Sequence, residues 1–233
     1  SRLYNRRVAL LASAFSAFAV MQIQQSHFYT TDNFATLFMF LTLFFAVEIL
    51  ISKPAVKQEF PDETARPASL FLRFIASLLR DRLFWLSLGF GLAYGMALAS
   101  KLNAFPLALL LPFAFLIREA RGARSGGRPF AGTDWTRVLA CLIAGGVIAF
   151  LSFRVFQPYA FLGLGLNPQW VANIKEQRVQ ASPNADLPWA LQWAKRSHLY
   201  SFENMTVCGL GLPLGILALA GFLWMGWRSL RGE

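Results

Sequence analysis

Between two apolar runs the chain reads Ser26-His27-Phe28-Tyr29-Thr30-Thr31-Asp32-Asn33, which packs an imidazole, a phenol and a carboxylate into one short segment. A carboxylate so placed can hold a divalent cation such as Mg or Mn, or act as a general base toward a hydroxyl. His27 and Tyr29 stand in the same segment. The same residue types also cap helices: Thr31 or Asp32 would satisfy the first free N–H groups of the apolar run that follows. The two roles are compatible. Lys101 closes a third apolar run, where an ammonium could neutralise a phosphate or snorkel to the headgroups. Further along, Arg154, Gln157, Tyr159, Trp170 and His198 offer guanidinium, amide, phenol, indole and imidazole groups. Arginine suits phosphate, and amides with aromatic faces suit hydroxyl-rich ligands. Each of these side chains could equally serve the structure of its own loop. Gln22, Gln24 and Gln25 precede the His27 segment; polar groups in such a place face a cavity or another helix.

Other motifs carry less. Cys141 and Cys208 lie in or beside apolar runs and have no metal-ligand spacing. The Gly122, Gly126 and Gly127 tract has no preceding strand and no Gly-Lys-Ser/Thr, so it is not a phosphate loop. Asn204-Met205-Thr206 matches a glycosylation sequon but abuts an apolar run.

The elements that must position these residues follow from composition. The chain is 56% hydrophobic and 15% charged, with mean hydropathy +0.46; soluble domains average roughly 45–50% apolar and about 25% charged. We read an all-α fold: a polytopic transmembrane helix bundle forming one domain over residues 1–233. A spanning helix needs about 20 mostly apolar residues. Six runs qualify: Val8–Gln25, Phe34–Ile51, Leu83–Ser100, Ala104–Ile117, Val138–Phe156 and Thr206–Trp227. Ala104–Ile117 is short and holds Pro106 and Pro112, so a re-entrant hairpin is its alternative. Glu48, near the end of the second run, should snorkel or pair with a basic residue. Residues 69–82 alternate Leu70, Phe71, Phe74, Ile75, Leu78 and Leu79 with arginines at spacings of three and four, which predicts a basic amphipathic helix on the inner leaflet. Residues 157–205 form a long outer loop. Its Trp170, Trp189, Trp193, Tyr159, Phe161 and Tyr200 predict order rather than disorder, with a short helix over 173–180.

The net charge of +10 does not indicate nucleic acid, because the excess is arginine flanking the spans. With six crossings, the N-terminus, residues 52–82 and 118–137 and the C-terminal end share one side and hold 16 of the 22 Lys and Arg; Lys101, Arg154, Lys175, Arg178, Lys195 and Arg196 fall on the other. The positive-inside rule makes the first side cytoplasmic. An odd number of spans would spoil the partition. This predicts a multi-pass protein of an inner (plasma) membrane, in contact with membrane lipid, with both ends of the chain cytoplasmic. The chain starts at Ser1 without a signal peptide, and we read it as part of a longer protein. A transporter would want an inverted repeat and paired broken helices, and the sequence displays neither.

Several segments resemble the membrane-embedded, lipid-carrier-dependent glycosyltransferases of the GT-C type, with the protein O-mannosyltransferases and aminoarabinose transferases among their relatives. These are Gln24-Gln25-Ser26-His27-Phe28-Tyr29-Thr30-Thr31-Asp32, then Gly91 to Lys101 followed by Pro106 and Pro112, then Phe153-Arg154-Val155-Phe156-Gln157-Pro158-Tyr159-Ala160-Phe161, Asn167-Pro168-Gln169-Trp170 and Gly209-Leu210-Gly211-Leu212-Pro213-Leu214-Gly215. The resemblance covers nearly the whole chain, as a middle section of a longer family protein. It implies that a polyprenyl-phosphate sugar is the donor and that the acceptor displaces the lipid phosphate with inversion. Asp32 then matches an acidic position that supports metal or acceptor, and Lys101 and Arg154 face phosphate. There is one departure. The family's main catalytic acid lies in an outer loop before the helix at Val8–Gln25, and no Asp or Glu precedes Asp32 here. A non-catalytic membrane subunit, packed in a larger complex, is the rival expectation.

Overall fold

The computed structural model describes residues 4–28, 30–52, 67–122, 130, 133–180, 182, 185, 187–191 and 196–231. They are mostly helical. The helices are α1 (Arg6–Ala17), α2 (Val20–His27), α3 (Thr31–Ile51), α4 (Pro67–Leu79), α5 (Arg82–Ser100), α6 (Leu110–Gly122), α7 (Trp135–Phe156), α8 (Pro168–Gln180), α9 (Pro188–Leu191), α10 (His198–Asn204) and α11 (Leu212–Leu230). A 3₁₀ helix, Leu102–Leu109, leads into α6, and a π-helical turn, Met205–Gly209, leads toward α11. The chain divides into two compact units: Ser1–Asn33 with Leu166–Glu233, and Phe34–Gly165.

Four helices are long and apolar enough to cross a membrane: Thr31–Ile51, Arg82–Ser100, Leu102–Arg121 and Trp135–Phe156; a fifth counts if the bent pair α1–α2 is one span. No more than 39% of any of the four is buried inside the protein. Their remaining surface carries Phe40, Leu139 and Ile143 more than half exposed, a surface suited to lipid. The segment with two prolines is a continuous helix. Pro106 sits within its 3₁₀ part and Pro112 in the first turn of α6. A proline ring removes one hydrogen-bond donor, and the tighter winding accommodates Pro106 before α-helix takes over.

The Phe34–Gly165 unit is held by small residues. Ser87, Gly91 and Gly95 recur every fourth residue on α5, and Cys141, Gly145 and Ala149 do so on α7. A Cβ on Gly91 would lie 2.2 Å from the Gly145 carbonyl oxygen, and one on Gly95 would lie 2.4 Å from that of Ala149. The two backbones therefore meet as small-residue stripes let membrane helices meet. The Ser152 hydroxyl adds a hydrogen bond to the Leu92 carbonyl at 3.1 Å. Phe90, Leu111, Phe115, Ile49 and Leu78 fill the space around this pair.

Four sequence expectations are corrected here. The run Val8–Gln25 is not one straight helix: α1 and α2 meet at 52°. Ala19 is extended (φ −65°, ψ 124°) and buried, and the Ser16 hydroxyl bridges the break to the Gln22 amide oxygen at 3.3 Å. The amphipathic helix stops at Leu79. Asp81 caps α5, its carboxylate accepting from Leu83 N–H at 2.9 Å, so Arg82 belongs to the span. The helical class stands, with one small addition: Phe161–Leu162 pairs with Gly165–Leu166 (β1 and β2) in a hairpin turned by Gly163 at φ +61°. The run Thr206–Trp227 is interrupted as well. The Met205–Gly209 turn packs against α2, and Gly211 turns the chain at φ +83°, a conformation that favours glycine. Thr206–Trp227 is thus a π-turn and the apolar stretch Leu212–Arg228. The loop helix predicted over 173–180 starts earlier, at Pro168.

Candidate functional site

The corner between α2 and α3 is tied by side chains that the sequence makes polar inside an apolar context. Thr30 donates from Oγ1 to the Gln25 amide oxygen at 2.7 Å, and Asn33 donates from Nδ2 to Ser26 Oγ at 3.2 Å. Ser26 Oγ in turn donates to the Gln22 carbonyl at 2.7 Å. Gln22 and Gln25 therefore join helix ends, as the helix-to-helix reading of these residues holds. His27 ends α2 and is exposed; a cationic side chain is favoured at a helix C-terminus. Asp32 lies half-buried in the first turn of α3, where the positive end of the helix favours a carboxylate. Thr31 opens the helix and Asp32 follows in its first turn. Tyr29 lies outside the described residues. An acid and an imidazole thus stand at the two ends of one hydrogen-bonded corner.

The other predicted residues do not all join it. In the Phe34–Gly165 unit, Lys101 is exposed at the junction of α5 with the 3₁₀ helix, its N–H bonded to the Ala97 carbonyl at 2.8 Å. Arg154 holds the hairpin: Nη2 donates to the Gly163 carbonyl at 2.6 Å, and the guanidinium lies 4.9 Å from the Phe161 ring centroid. That is a structural use of a side chain expected at a phosphate. Gln157 ends α7, half-buried, and Tyr159 is half-exposed in the turn Pro158–Ala160. Trp170 is half-buried in the first turn of α8, which Asn167 caps by accepting from Gln169 N–H at 3.0 Å. His198 opens α10, and its side chain lies outside the described residues. Trp193 lies outside them as well.

Sequence reasoning missed a second concentration of polar groups, in the Phe34–Gly165 unit. Glu48 is 2% exposed and accepts from Arg82 Nη2 at 2.5 Å. Arg118, also 2% exposed, pairs with Glu119 and donates from Nε to Ser52 Oγ at 3.1 Å. Thr133 Oγ1 donates to Glu119 at 3.0 Å, and Arg137 reaches Asp81 at 3.4 Å. These residues bring the ends of α3, α5, α6 and α7 together. Buried charges persist only when paired, and this network provides the pairs. Glu48 alone was marked for pairing in the sequence; Arg118 and Arg137 read there as ordinary flanking charges.

Asp32 is the one carboxylate that could begin a metal site at the corner, yet among the described residues no three His, Cys, Asp or Glu side chains gather to hold an ion. The donor set does not make a metal centre by itself, and no step is derived through one. No family model, curated protein or solved structure matches the chain.

Proposed function

We propose that this chain belongs to a membrane-embedded glycosyltransferase that moves a sugar from a polyprenyl phosphate to a hydroxyl-bearing acceptor at the outer face of an inner membrane. The observation that supports it most is the tied α2–α3 corner, which presents the Asp32 carboxylate and the His27 imidazole at the head of a helix apolar enough to span. In this reading the acceptor hydroxyl donates a hydrogen bond to Asp32, which orients it. Its proton passes to a carboxylate base, which the family pattern places ahead of residues 8–25. The freed oxygen attacks the anomeric carbon as the bond to the phosphate oxygen breaks. The electron pair leaves on the lipid phosphate, and the configuration inverts. Mg or Mn at Asp32 stays part of the reading as a separate question, which chelation during the assay answers.

The topology proposed with it has six crossings and cytoplasmic ends. The apolar stretch Leu212–Arg228 falls at the short end of the roughly 17–25 residues that span a bilayer. One observation favours the second reading, a non-catalytic subunit of a membrane complex: α1, α2 and α8 bury no residue among those described.

The test is Asp32→Asn in the intact protein reconstituted with polyprenyl-phosphate sugar. Transfer should fall by at least about a hundredfold, the order expected when a group that positions the acceptor is lost, with expression and thermal stability unchanged. Full transfer by the variant would remove Asp32 from the mechanism.

A further inference from the structure

The two helix breaks of the unit formed by Ser1–Asn33 and Leu166–Glu233 border an open cavity of about 400 Å³, lined by Met21 and Gln22 from α2, Ser201 and Asn204 from α10, and Met205 from the π-turn. Ligand pockets of roughly 300–1,000 Å³ with a few convergent polar groups are the usual size for small molecules. Interrupted helices in membranes commonly mark binding sites, because bent backbone is tolerated where it lines a cavity. π-turns also concentrate at functional positions. Here the π-turn is closed by Leu210 N–H donating to the Met205 carbonyl at 3.1 Å.

The lining narrows the ligand class. Among the described residues none that lines the cavity is charged, so nothing in it compensates a phosphate, a carboxylate or an ammonium. Gln22 is fixed through its oxygen by Ser16, which leaves its N–H groups to donate. Neither the Ser201 hydroxyl nor the Asn204 amide is held by a side-chain hydrogen bond among the described residues. Met21 and Met205 supply flexible thioethers that fit an apolar body of variable shape. We infer that this cavity takes a neutral, hydroxyl-bearing amphiphile, an alkyl glycoside or a glycerolipid in chemical class, and that it is the acceptor of the sugar. Gln22 precedes His27 by five residues on the same helix, about 7.5 Å of rise, so a bound hydroxyl group and the corner lie within the span of one small molecule. The acceptor role rests on the glycosyltransferase reading; the binding does not.

The experiment uses the protein in lipid nanodiscs and two photoreactive probes with one alkyl chain, an alkyl glucoside and an alkyl phosphate. Labelled peptides are mapped by mass spectrometry. The glucoside should label segments 19–22 and 201–210 several times more strongly than the phosphate. Asn204→Leu should weaken glucoside labelling about tenfold, the loss of one or two hydrogen bonds to a ligand. Ala19→Trp, which fills the cavity, should abolish it. If that variant fails to fold, Leu210→Trp on the opposite wall serves the same purpose. Competition by alkyl glucoside and not by methyl glucoside is the result expected of an amphiphile; equal competition by methyl glucoside would overturn that assignment. Equal labelling by both probes, or labelling indifferent to Asn204→Leu and the filling variant, would overturn it. Asp32→Asn separates the two proposals, since it should retain labelling while losing transfer. Labelling retained with full transfer keeps the cavity and removes Asp32 from the mechanism. Labelling of an unaltered protein that transfers no sugar keeps the cavity and sinks the enzyme reading, and transfer without labelling does the reverse.

Discussion

At the scale of single residues, burial decides which charges matter. Arg118 and Glu119 are 2% and 9% exposed, whereas Asp134 is 31% exposed and stands 3.8 Å from Arg137 Nε. Removing one partner of a buried pair strands the other, at about 3–5 kcal/mol, while an exposed pair contributes about 0–1 kcal/mol. Glu119→Ala should therefore lower the thermal unfolding midpoint more than Asp134→Ala, which also removes the N-cap of α7 at about 0.5–2 kcal/mol, as measured on purified protein in one detergent. Equal shifts would show that the Arg118 pair is solvated. The corner residues follow another logic. Asp32 is half-buried and His27 exposed, so their replacement should leave stability nearly intact and be read in activity. That separation is what makes Asp32→Asn informative.

At the scale of elements, the α5–α7 contact depends on the absence of side chains. The stripe Ser87, Gly91, Gly95 was present in the sequence at a spacing of four, and its meaning needed the facing stripe Cys141, Gly145, Ala149, some fifty residues on. Gly91→Ala places a methyl 2.2 Å from a backbone oxygen, and overpacking of that kind costs on the order of 1–3 kcal/mol. Gly146→Ala, on the facing helix α7 and with nothing within 4 Å, should be neutral or stabilising by up to about 1 kcal/mol. Unfolding midpoints of the two variants, compared side by side, check both. The helix breaks were less legible. Neither Phe18 nor Ala19 is a proline or glycine, so no local signal marks the bend. Gly209 and Gly211 do mark the second break, and without the first they read as an ordinary helix start.

At the scale of the whole molecule, sidedness can be tested directly. In a background with Cys141 and Cys208 replaced by serine, a cysteine at Leu164, 98% exposed at the hairpin tip, should react with a membrane-impermeant maleimide added to intact cells. A fluorescent reporter fused after Glu233 should light up in the cytoplasm; the opposite result in both assays would reverse the orientation. By itself the sequence determined the membrane class and three of the four long spans, Phe34–Ile51, Leu83–Ser100 and Val138–Phe156, to within about three residues. It did so because partition into lipid is a sum over local composition and needs no knowledge of neighbours. It also placed His27 and Asp32 together, since they are close along the chain. Tertiary structure alone decided the rest: the meeting of Glu48 with Arg82, Ser52 with Arg118 and Asp81 with Arg137, the use of Arg154 to pin a hairpin, and the pairing of two helix breaks around a cavity. Each of those joins groups from separate segments, and a hydrogen bond or an ion pair is set by distance in space, which spacing along a chain of helices does not specify.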